Sequence, residues 1–286
     1  GSTIVHLYQE TFVNFKYALP PLAEQQKIAN FLDHETAKID TLIAKQEKLI
    51  ALLKEKRQAV ISHAVTRGLN PDAPMKDSGV EWLGEVPEHW EVTRAKFVSN
   101  IFVPQRNKPE LNEINDGISW ATMDDMKSEY INKTRLSVSN KAFQVAGSKV
   151  LPKNSVIASC VGNFGIASIS KIDLIINQQL QAFIPFNINS SYLKEIIYIS
   201  KCYFELIGTA ATLVYVNQQG FENLPILLPS KEEQFEISKY IDQQRDKFEL
   251  LINKCEEQIK LMKERKAALI SAAVTGKIDV RNWQEQ

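Results

Sequence analysis

The sequence predicts an α+β protein, a β-rich domain carried on a long antiparallel two-helix coiled coil. Three observations predict it. One long segment occurs twice, residue n matching residue n+209, without a gap from about residue 5 to about residue 69. Both copies carry narrow apolar seams at three-and-four spacing, the pattern of paired helices. Between the copies lie short apolar or alternating runs broken by Gly, Asn, Asp and Pro, the pattern of strands.

The duplication is specific. Leu19-Pro20 falls on Leu228-Pro229, Glu24-Gln25 on Glu233-Gln234, Leu42-Ile43 on Leu251-Ile252, and Ala64-Val65-Thr66 on Ala273-Val274-Thr275. Two copies of one element imply a pseudo-symmetric molecule. Such molecules suit pseudo-symmetric targets, of which duplex DNA is the commonest.

Composition excludes several classes. Hydrophobic residues make up 44% and charged residues 24%, an ordinary globular balance. No apolar run approaches the roughly 18 residues of a membrane span. Gly1-Ser2 reads as an expression scar rather than the start of a signal peptide. Cys160, Cys202 and Cys255 are odd in number and far apart, which suits reduced thiols and a cytoplasmic location. The 34 basic and 34 acidic residues cancel, unlike the usual nucleic-acid binder. Their distribution is uneven. From Lys127 to Lys171 seven basic residues face one acid, Glu129, a local surplus of six.

The elements follow in order. Residues 1–18 are the scar and a short segment in which Val5, Gln9, Phe12 and Asn14 match Val214, Gln218, Phe221 and Asn223. Residues 19–69 form the first helix. Pro20-Pro21 suits its N-terminus, where a missing N–H costs nothing, and Gly68 suits its end. Its seam is expected at Leu32, Ile39, Leu42, Leu49, Leu53 and Val60. Residues 70–77 read as a linker rich in breakers. Residues 78–228 read as the β-rich domain, with strands around Ile118–Ala121, Ser155–Ser159, Leu174–Ile176 and Gln181–Pro185, and one helix over Tyr192–Leu206. Residues 229–286 give the second helix and a tail. Ser230 and Glu233 form a capping box, Gly276 a stop, and Ile241, Phe248, Leu251, Met262 and Leu269 the seam. Each helix should reach roughly 60 Å at ~1.5 Å per residue. Such a seam needs a partner in water, and the other copy supplies one. Gln46 and Cys255, equivalent under the shift, interrupt the two seams at the same place.

The run Gly79-Val80-Glu81-Trp82-Leu83-Gly84-Glu85-Val86-Pro87-Glu88-His89-Trp90 resembles the opening of a target-recognition domain from the DNA-specificity subunit of type I restriction–modification systems. So do Ile118-Ser119-Trp120 leading to Asp124-Asp125-Met126, the Gly162-Asn163-Phe164-Gly165 turn, and Asn177-Gln178-Gln179. The helix openings at Leu19-Pro20 and Leu228-Pro229 and the Ala-Val-Thr closes are similar to that family's helix ends. Each motif is weak alone; in this order, with the duplication, they are specific. A full subunit of that kind alternates domain, helix, domain, helix. This chain resembles its C-terminal half, with one recognition domain and both helices.

The resemblance implies a non-catalytic reader of one half-site in a split target, with the helices as spacer. Its partners would be double-stranded DNA, an adenine methyltransferase subunit and a restriction (translocase and endonuclease) subunit. S-adenosylmethionine, ATP and magnesium would belong to those partners, and the chain would need no cofactor of its own. Two copies could also pair through their helices. The alternative is a coiled-coil assembly or interfering protein that binds the methyltransferase without reading DNA.

Base contacts suit Arg, Lys, Gln and Asn, and phosphate contacts suit Lys and Arg. Gln105, Arg106, Asn107 and Lys108 are candidates for base contact or a polar turn. Lys127, Lys133, Arg135 and Lys141 are phosphate candidates, or a solvated face. Asn163, between glycines, allows close backbone approach or marks a plain turn. Gln178, with Asn177 and Gln179, could read adenine edges or brace the sheet as a buried polar network. Thr209, Thr212 and Tyr215 are weaker candidates. Trp82, Trp90 and Trp120 read as core anchors. No phosphate-binding glycine loop or methyltransferase Asn-Pro-Pro-aromatic motif occurs, and His6, His34, His63 and His89 lack zinc-ligand spacing. No acid–acid–Lys cluster is expected in the β domain; Asp124-Asp125 reads as a cap after a strand.

Overall fold

The computed structural model describes residues 14, 19–104, 108–112, 117–146, 149–208 and 214–284. The chain forms two compact units, residues 56–246 and residues 1–55 with 247–286. The mix of long helices and sheets is the expected α+β class.

The first unit opens with the end of helix α1 (Leu22–Arg67). A small hairpin, β1 (Met75–Asp77) with β2 (Glu85–Pro87), follows, so the breaker-rich span after the helix ends in a strand. Next come β3 (Glu91–Arg94), β4 (Ser99–Phe102), β5 (Leu111–Asn112), β6 (Ile118–Ala121), β7 (Tyr130–Ile131) and β8 (Leu136–Val138). Helix α2 (Asn140–Ala146) leads to β9 (Val156–Ser159), β10 (Ala167–Ser170), β11 (Leu174–Ile176) and β12 (Leu180–Pro185). The four strand runs anticipated from sequence are β6, β9, β11 and β12. Two sheets result, ordered β4-β12-β9-β10-β7 and β11-β6-β8-β5. Their pairings are antiparallel except β10 with β7 and β11 with β6.

Alternation along the strands builds the layers, because successive side chains leave opposite faces. Ile157, Leu174, Ile176, Leu180 and Ala182 point into the core between the sheets. Val156, Ala158 and Phe183 point the other way, into a larger core shared with helices. Trp120 and Ile175 leave the outer face of the four-stranded sheet and pack with Phe143 of α2. Trp90 and Trp120 are almost fully buried and Trp82 packs at the core's edge, so all three act as anchors.

The helix expected over Tyr192–Leu206 is two, α3 (Ser190–Ile199) and α4 (Lys201–Ile207). They meet at Ser200, whose ψ of 13° leaves the helical range and whose hydroxyl donates back to the Ile196 carbonyl at 2.6 Å. Asn189 caps α3, its side chain accepting from the Ser191 and Tyr192 amides. A short helix α5 (Gln218–Glu222) precedes β13 (Pro225–Leu228), which pairs with β3. Helix α6 (Lys231–Val274) starts here. Ile61, Ala64 and Val65 of α1 and Ile237 and Ile241 of α6 sit in the larger core.

In the second unit α1 and α6 run antiparallel. Lys27 Nζ donates to the Arg281 carbonyl, Phe31 packs on Trp283, Asp40 accepts from Lys266, and Gln46 bonds Gln258, so one number falls as the other rises. The seam is strict. Ile39, Ile43, Gln46, Ile50 and Leu53 of α1 are buried or half-buried, and the residues between them are exposed. On α6 the seam runs through Phe248, Ile252, Cys255, Ile259, Met262, Lys266 and Leu269. The shift of 209 carries each α1 seam residue onto one of α6. Of the candidate seam residues, Ile39, Leu53, Phe248, Met262 and Leu269 occupy these positions, and Leu32 is half-buried seven residues before Ile39. Leu42, Leu49 and Leu251 do not; they are 49%, 42% and 38% exposed, and the isoleucine after each takes the seam position. Two adjacent apolar stripes run along each helix, and only the one that keeps alternating fours and threes stays against the partner. Val60 and Ile241 belong to the other unit, Ile241 in its core.

The two copies also repeat their end bonds. Gln25 donates to the Pro20 carbonyl at 2.7 Å and Gln234 to that of Pro229 at 2.9 Å. Thr66 donates to Ser62 at 2.8 Å and Thr275 to Ser271 at 2.7 Å. Gly68 and Gly276 end the helices with φ of 73° and 74°. Cys160, Cys202 and Cys255 are free thiols. Among the described residues no helix is long and apolar enough to cross a membrane.

Candidate nucleic-acid interface

The ends of β6, β9 and β11 and the start of β12 meet along one rim of the two sheets, joined by backbone bonds. The Asn177 amide donates to the Ala121 carbonyl at 3.1 Å, tying the β11–β12 turn to the end of β6. The Cys160 amide donates to the Gln179 carbonyl at 3.0 Å, tying the same turn to the end of β9. Gly162 donates to Val214 at 2.8 Å, and Val216 to Cys160 at 3.0 Å, adding the segment before α5. Buried Gln181 donates from Nε2 to the Val216 carbonyl at 2.9 Å beneath it. Burial pushes the Cys160 thiol up to about 11, so it stays protonated as part of this scaffold.

Three elements place candidate side chains on this rim. Asn163 is exposed on the turn between β9 and β10. Gln178 and Gln179 are exposed on the β11–β12 turn, not buried as a network bracing the sheet. The reason is local: the Leu180 amide bonds the Asn177 carbonyl at 3.1 Å, which closes a tight turn and throws its middle outward. Arg135 joins from just before β8, also exposed. Asp125 accepts from the Thr122 amide and hydroxyl at 2.8 and 2.9 Å, and from the Arg135 amide at 3.2 Å. Asp125 is thus the cap expected after a strand, and it moors Arg135 beside the end of β6. Lys133 is exposed two residues earlier. Lys127 is exposed, pairs with Asp124 at 3.4 Å, and lines one cavity with Gly165 of the β9–β10 turn.

Two candidates fall elsewhere. β8 runs antiparallel to β6, with Ile118 opposite Val138. Lys141, which follows β8, therefore sits at the opposite end of this sheet, in one depression with Lys108. Gln105, Arg106, Asn107, Thr209 and Thr212 lie outside the described residues. Tyr215 borders the rim, bridged to Val161.

The structure also assembles a cluster that the sequence did not suggest. Lys194 and Glu195 of α3, Arg245 and Asp242 of α6, and Glu129 before β7 converge beside a cavity of about 260 Å³. Lys194 Nζ lies 3.0 Å from Glu129 and 2.9 Å from Glu195. Arg245 lies 2.8 Å from Glu195, contacts Glu129, and lies 3.6 Å from Asp242. The Lys194 and Glu195 side chains are only 5% and 2% exposed. The three carboxylates come within 4.8 Å of one another, so an acid–acid–Lys arrangement does exist here. Lys194 and Arg245 lie against all three, which reads as an ion network holding α3, α6 and β7 together. Burial, and then the Glu129 charge, raise the Asp242 pKa. Burial opposes the Arg245 charge, but Glu195, Glu129 and Asp242 together outweigh it and raise that pKa. One sequence signal could have found the cluster: Arg245 puts a guanidinium where the four-and-three seam calls for an apolar residue.

Comparison with known proteins gives a consistent picture. The family model for the type I restriction modification DNA specificity domain matches residues 1–51 and 87–261. The type I restriction enzyme MjaVIII specificity subunit of Methanocaldococcus jannaschii is 28% identical over 308 residues, covering 99% of this chain and 66% of that protein. The EcoBI specificity subunit of Escherichia coli is 28% identical over 266 residues, covering 84% and 54%. In fold, the chain is similar to one from a solved type I R-M system, with a TM-score of 0.72, 20% identity, and 91% and 61% coverage. It is also similar to the HsdS subunit of Thermoanaerobacter tengcongensis, with a TM-score of 0.59, 18% identity, and 97% and 65% coverage. The chain thus spans between about half and two thirds of the length of these relatives.

Proposed function

This chain belongs to the type I restriction modification DNA specificity family, and on that premise we propose that it is a non-catalytic half subunit that reads DNA sequence. Residues 78–228 are its target-recognition domain and address one half-site of a split target. The paired helices set the spacing and dock adenine methyltransferase subunits, after which a restriction subunit joins. S-adenosylmethionine, ATP and magnesium act on those partners. Two copies pairing through their helices would present two identical readers to a palindromic split site. The cytoplasm, where duplex DNA is at hand, is the compartment this activity needs.

One observation carries the reading. A rim built by backbone bonds from four strand ends presents Asn163, Gln178 and Arg135 to solvent, with Lys127 beside them. Amide side chains can bond adenine edges in pairs, and the cations suit phosphates. A scaffold fixed this way costs little ordering on binding. The neutral net charge then has a reason, since methyltransferase partners closing round the duplex supply further phosphate contacts.

Two variants test it. Lys127→Ala should weaken binding evenly across sequences and lower the slope of log K against log salt by about 1. Gln178→Ala should relax discrimination at one base pair by about 1–3 kcal/mol. Both are read by titrating fluorescent duplexes, across salt for the first and across point-substituted sites for the second. A triple Arg106→Ala, Lys133→Ala, Arg135→Ala chain that still binds DNA as the parent does would favour the assembly-protein alternative. Mapping methylated adenines after co-expression tests the split site; an asymmetric target with this chain as the sole specificity subunit would rule out the palindrome.

A further inference from the structure

The amide turn at the rim decides which atom one of its side chains offers. Asn177 is held through both of its backbone groups. Its N–H donates to the Ala121 carbonyl at 3.1 Å, and its carbonyl accepts from the Leu180 N–H at 3.1 Å. Gln179 is held in the same way. Its N–H donates to Asn177 Oδ1 at 3.2 Å, and its carbonyl accepts from the Cys160 N–H at 3.0 Å. Both side chains thus start from fixed backbone. Asn177 is half-buried and Gln179 is exposed.

A side-chain amide has an oxygen that accepts and a nitrogen that donates. On most surfaces either one can be turned outward. Here the choice is forced by a backbone group that has no such freedom. The Gln179 N–H can only donate, so the Asn177 atom facing it is the oxygen. Asn177 Nδ2 then faces the Gln179 side chain, and Nδ2 can only donate. The Gln179 atom that accepts from it, at 3.3 Å, is therefore Oε1. Nε2, with its two hydrogens, is left over and has no partner among the described residues. The outermost amide of the turn is polarised into a donor.

We propose that Gln179 is a specificity-determining residue that selects guanine in the major groove, and that Asn177 is the positioning residue that makes it do so. A donor nitrogen matches an edge of acceptors. Guanine offers two side by side, N7 and O6, and the two hydrogens of Nε2 can serve both. Adenine keeps N7 but sets its N6 amino group where O6 stands, donor against donor. Cytosine offers only the N4 donor, and thymine a single acceptor, O4, beside its methyl group. A glutamine without the Asn177 bond could turn both of its atoms to adenine. Against a wrong base the locked donor is dehydrated and left unpaired, and that loss is the source of discrimination. The lock exists before DNA arrives, so binding has little to order.

This role rests on the half-site reading above. The test selects bound duplexes from a pool randomised in sequence, using the full chain with the methyltransferase subunit of its own system. The parent should enrich guanine over adenine about tenfold at one position. Gln179→Ala should level that position and leave the others as they were. Gln179→Glu and Asn177→Asp should both turn an oxygen outward, the first directly and the second by accepting from Nε2. Aspartate suits the turn, since its carboxylate still accepts from the Gln179 N–H. Both variants should move the position from guanine to adenine, whose N6 then donates to the chain. A merely structural role would weaken every position together and switch none. Each variant adds negative charge near phosphates, so the ratio among bases is the readout, not the affinity. In the selected duplex, 7-deazaguanine at that position should weaken binding several-fold. Inosine, which lacks only the minor-groove amino group, should bind as guanine does. A parent that enriches no sequence ends the half-site reading, and this role with it. Identical selection by the parent and Gln179→Ala overturns the role of Gln179 alone. So does a position that depends on Gln179 and takes any base but guanine, or an Asn177→Asp chain that keeps guanine.

Discussion

Arg245→Met is expected to destabilise the unit formed by residues 56–246 by about 3 kcal/mol, because it breaks a largely buried ion network by one partner only. The guanidinium lies against Glu195, Glu129 and Asp242, and its loss leaves, among the described residues, Lys194 alone paired with Glu129 and Glu195 and no cation paired with Asp242. Glu195 is the most demanding of them, at 2% exposure with nowhere to turn for water. Adding Glu195→Gln to Arg245→Met should recover much of the loss, since Lys194 then keeps Glu129 and no buried charge stands alone. Thermal or urea unfolding of the two single variants and the double closes the cycle. Additive losses would mean that Arg245 merely packs.

Asp242 gives the network a pH signature. Its pKa is raised in the folded protein, so its charge is penalised there. That penalty is full above the raised folded value and disappears as pH falls through it toward the ordinary value of 3.8. Asp242→Asn should therefore melt higher than the parent at neutral pH, and the advantage should vanish in acid. A parent chain that loses stability relative to this variant on acidification would reverse the sign and remove the argument.

Sequence carried the architecture much further than the site. The duplication was visible because both helices start and end by the same bonds, made by the same residue types 209 positions apart. Strands β6, β9, β11 and β12 were visible because each is apolar and bounded by breakers. The break at Ser200 was not, because a serine bonded back to the preceding turn also sits inside unbroken helix, as Ser238 does in α6. The Asn177–Gln179 turn failed for a similar reason: three amides in a row suit an exposed turn or a buried network equally well. The network of Glu129, Lys194, Glu195, Asp242 and Arg245 joins three distant stretches of chain, and only Arg245, a guanidinium at an apolar seam position, hints at it in the sequence. On the rim, residue type suggested Arg135, Asn163 and Gln178. Only the sheet topology could bring those three to one edge and send Lys141 to the other.

The phase of the helix seam is the second point where a large effect is expected. Leucine and isoleucine stand side by side at 42–43, 49–50 and 251–252, so composition favours neither register. Ile252→Ala, at 7% exposure against the partner helix, should cost about 2–5 kcal/mol of helix-pair stability through lost burial and the cavity left behind. Leu251→Ala, one residue away and 38% exposed, should stay within about 0.5 kcal/mol. Ile39→Ala, equivalent to Phe248 under the shift, should behave like Ile252→Ala, and Leu42→Ala like Leu251→Ala. Amide hydrogen exchange within residues 22–55 and 247–274 reads these differences locally, apart from the unfolding of the other unit. Equal losses at 251 and 252 would mean that both stripes are buried and the helices cross differently. A larger loss at Leu251 than at Ile252 would move the seam back by one residue, onto the stripe of Leu42, Leu49 and Leu251.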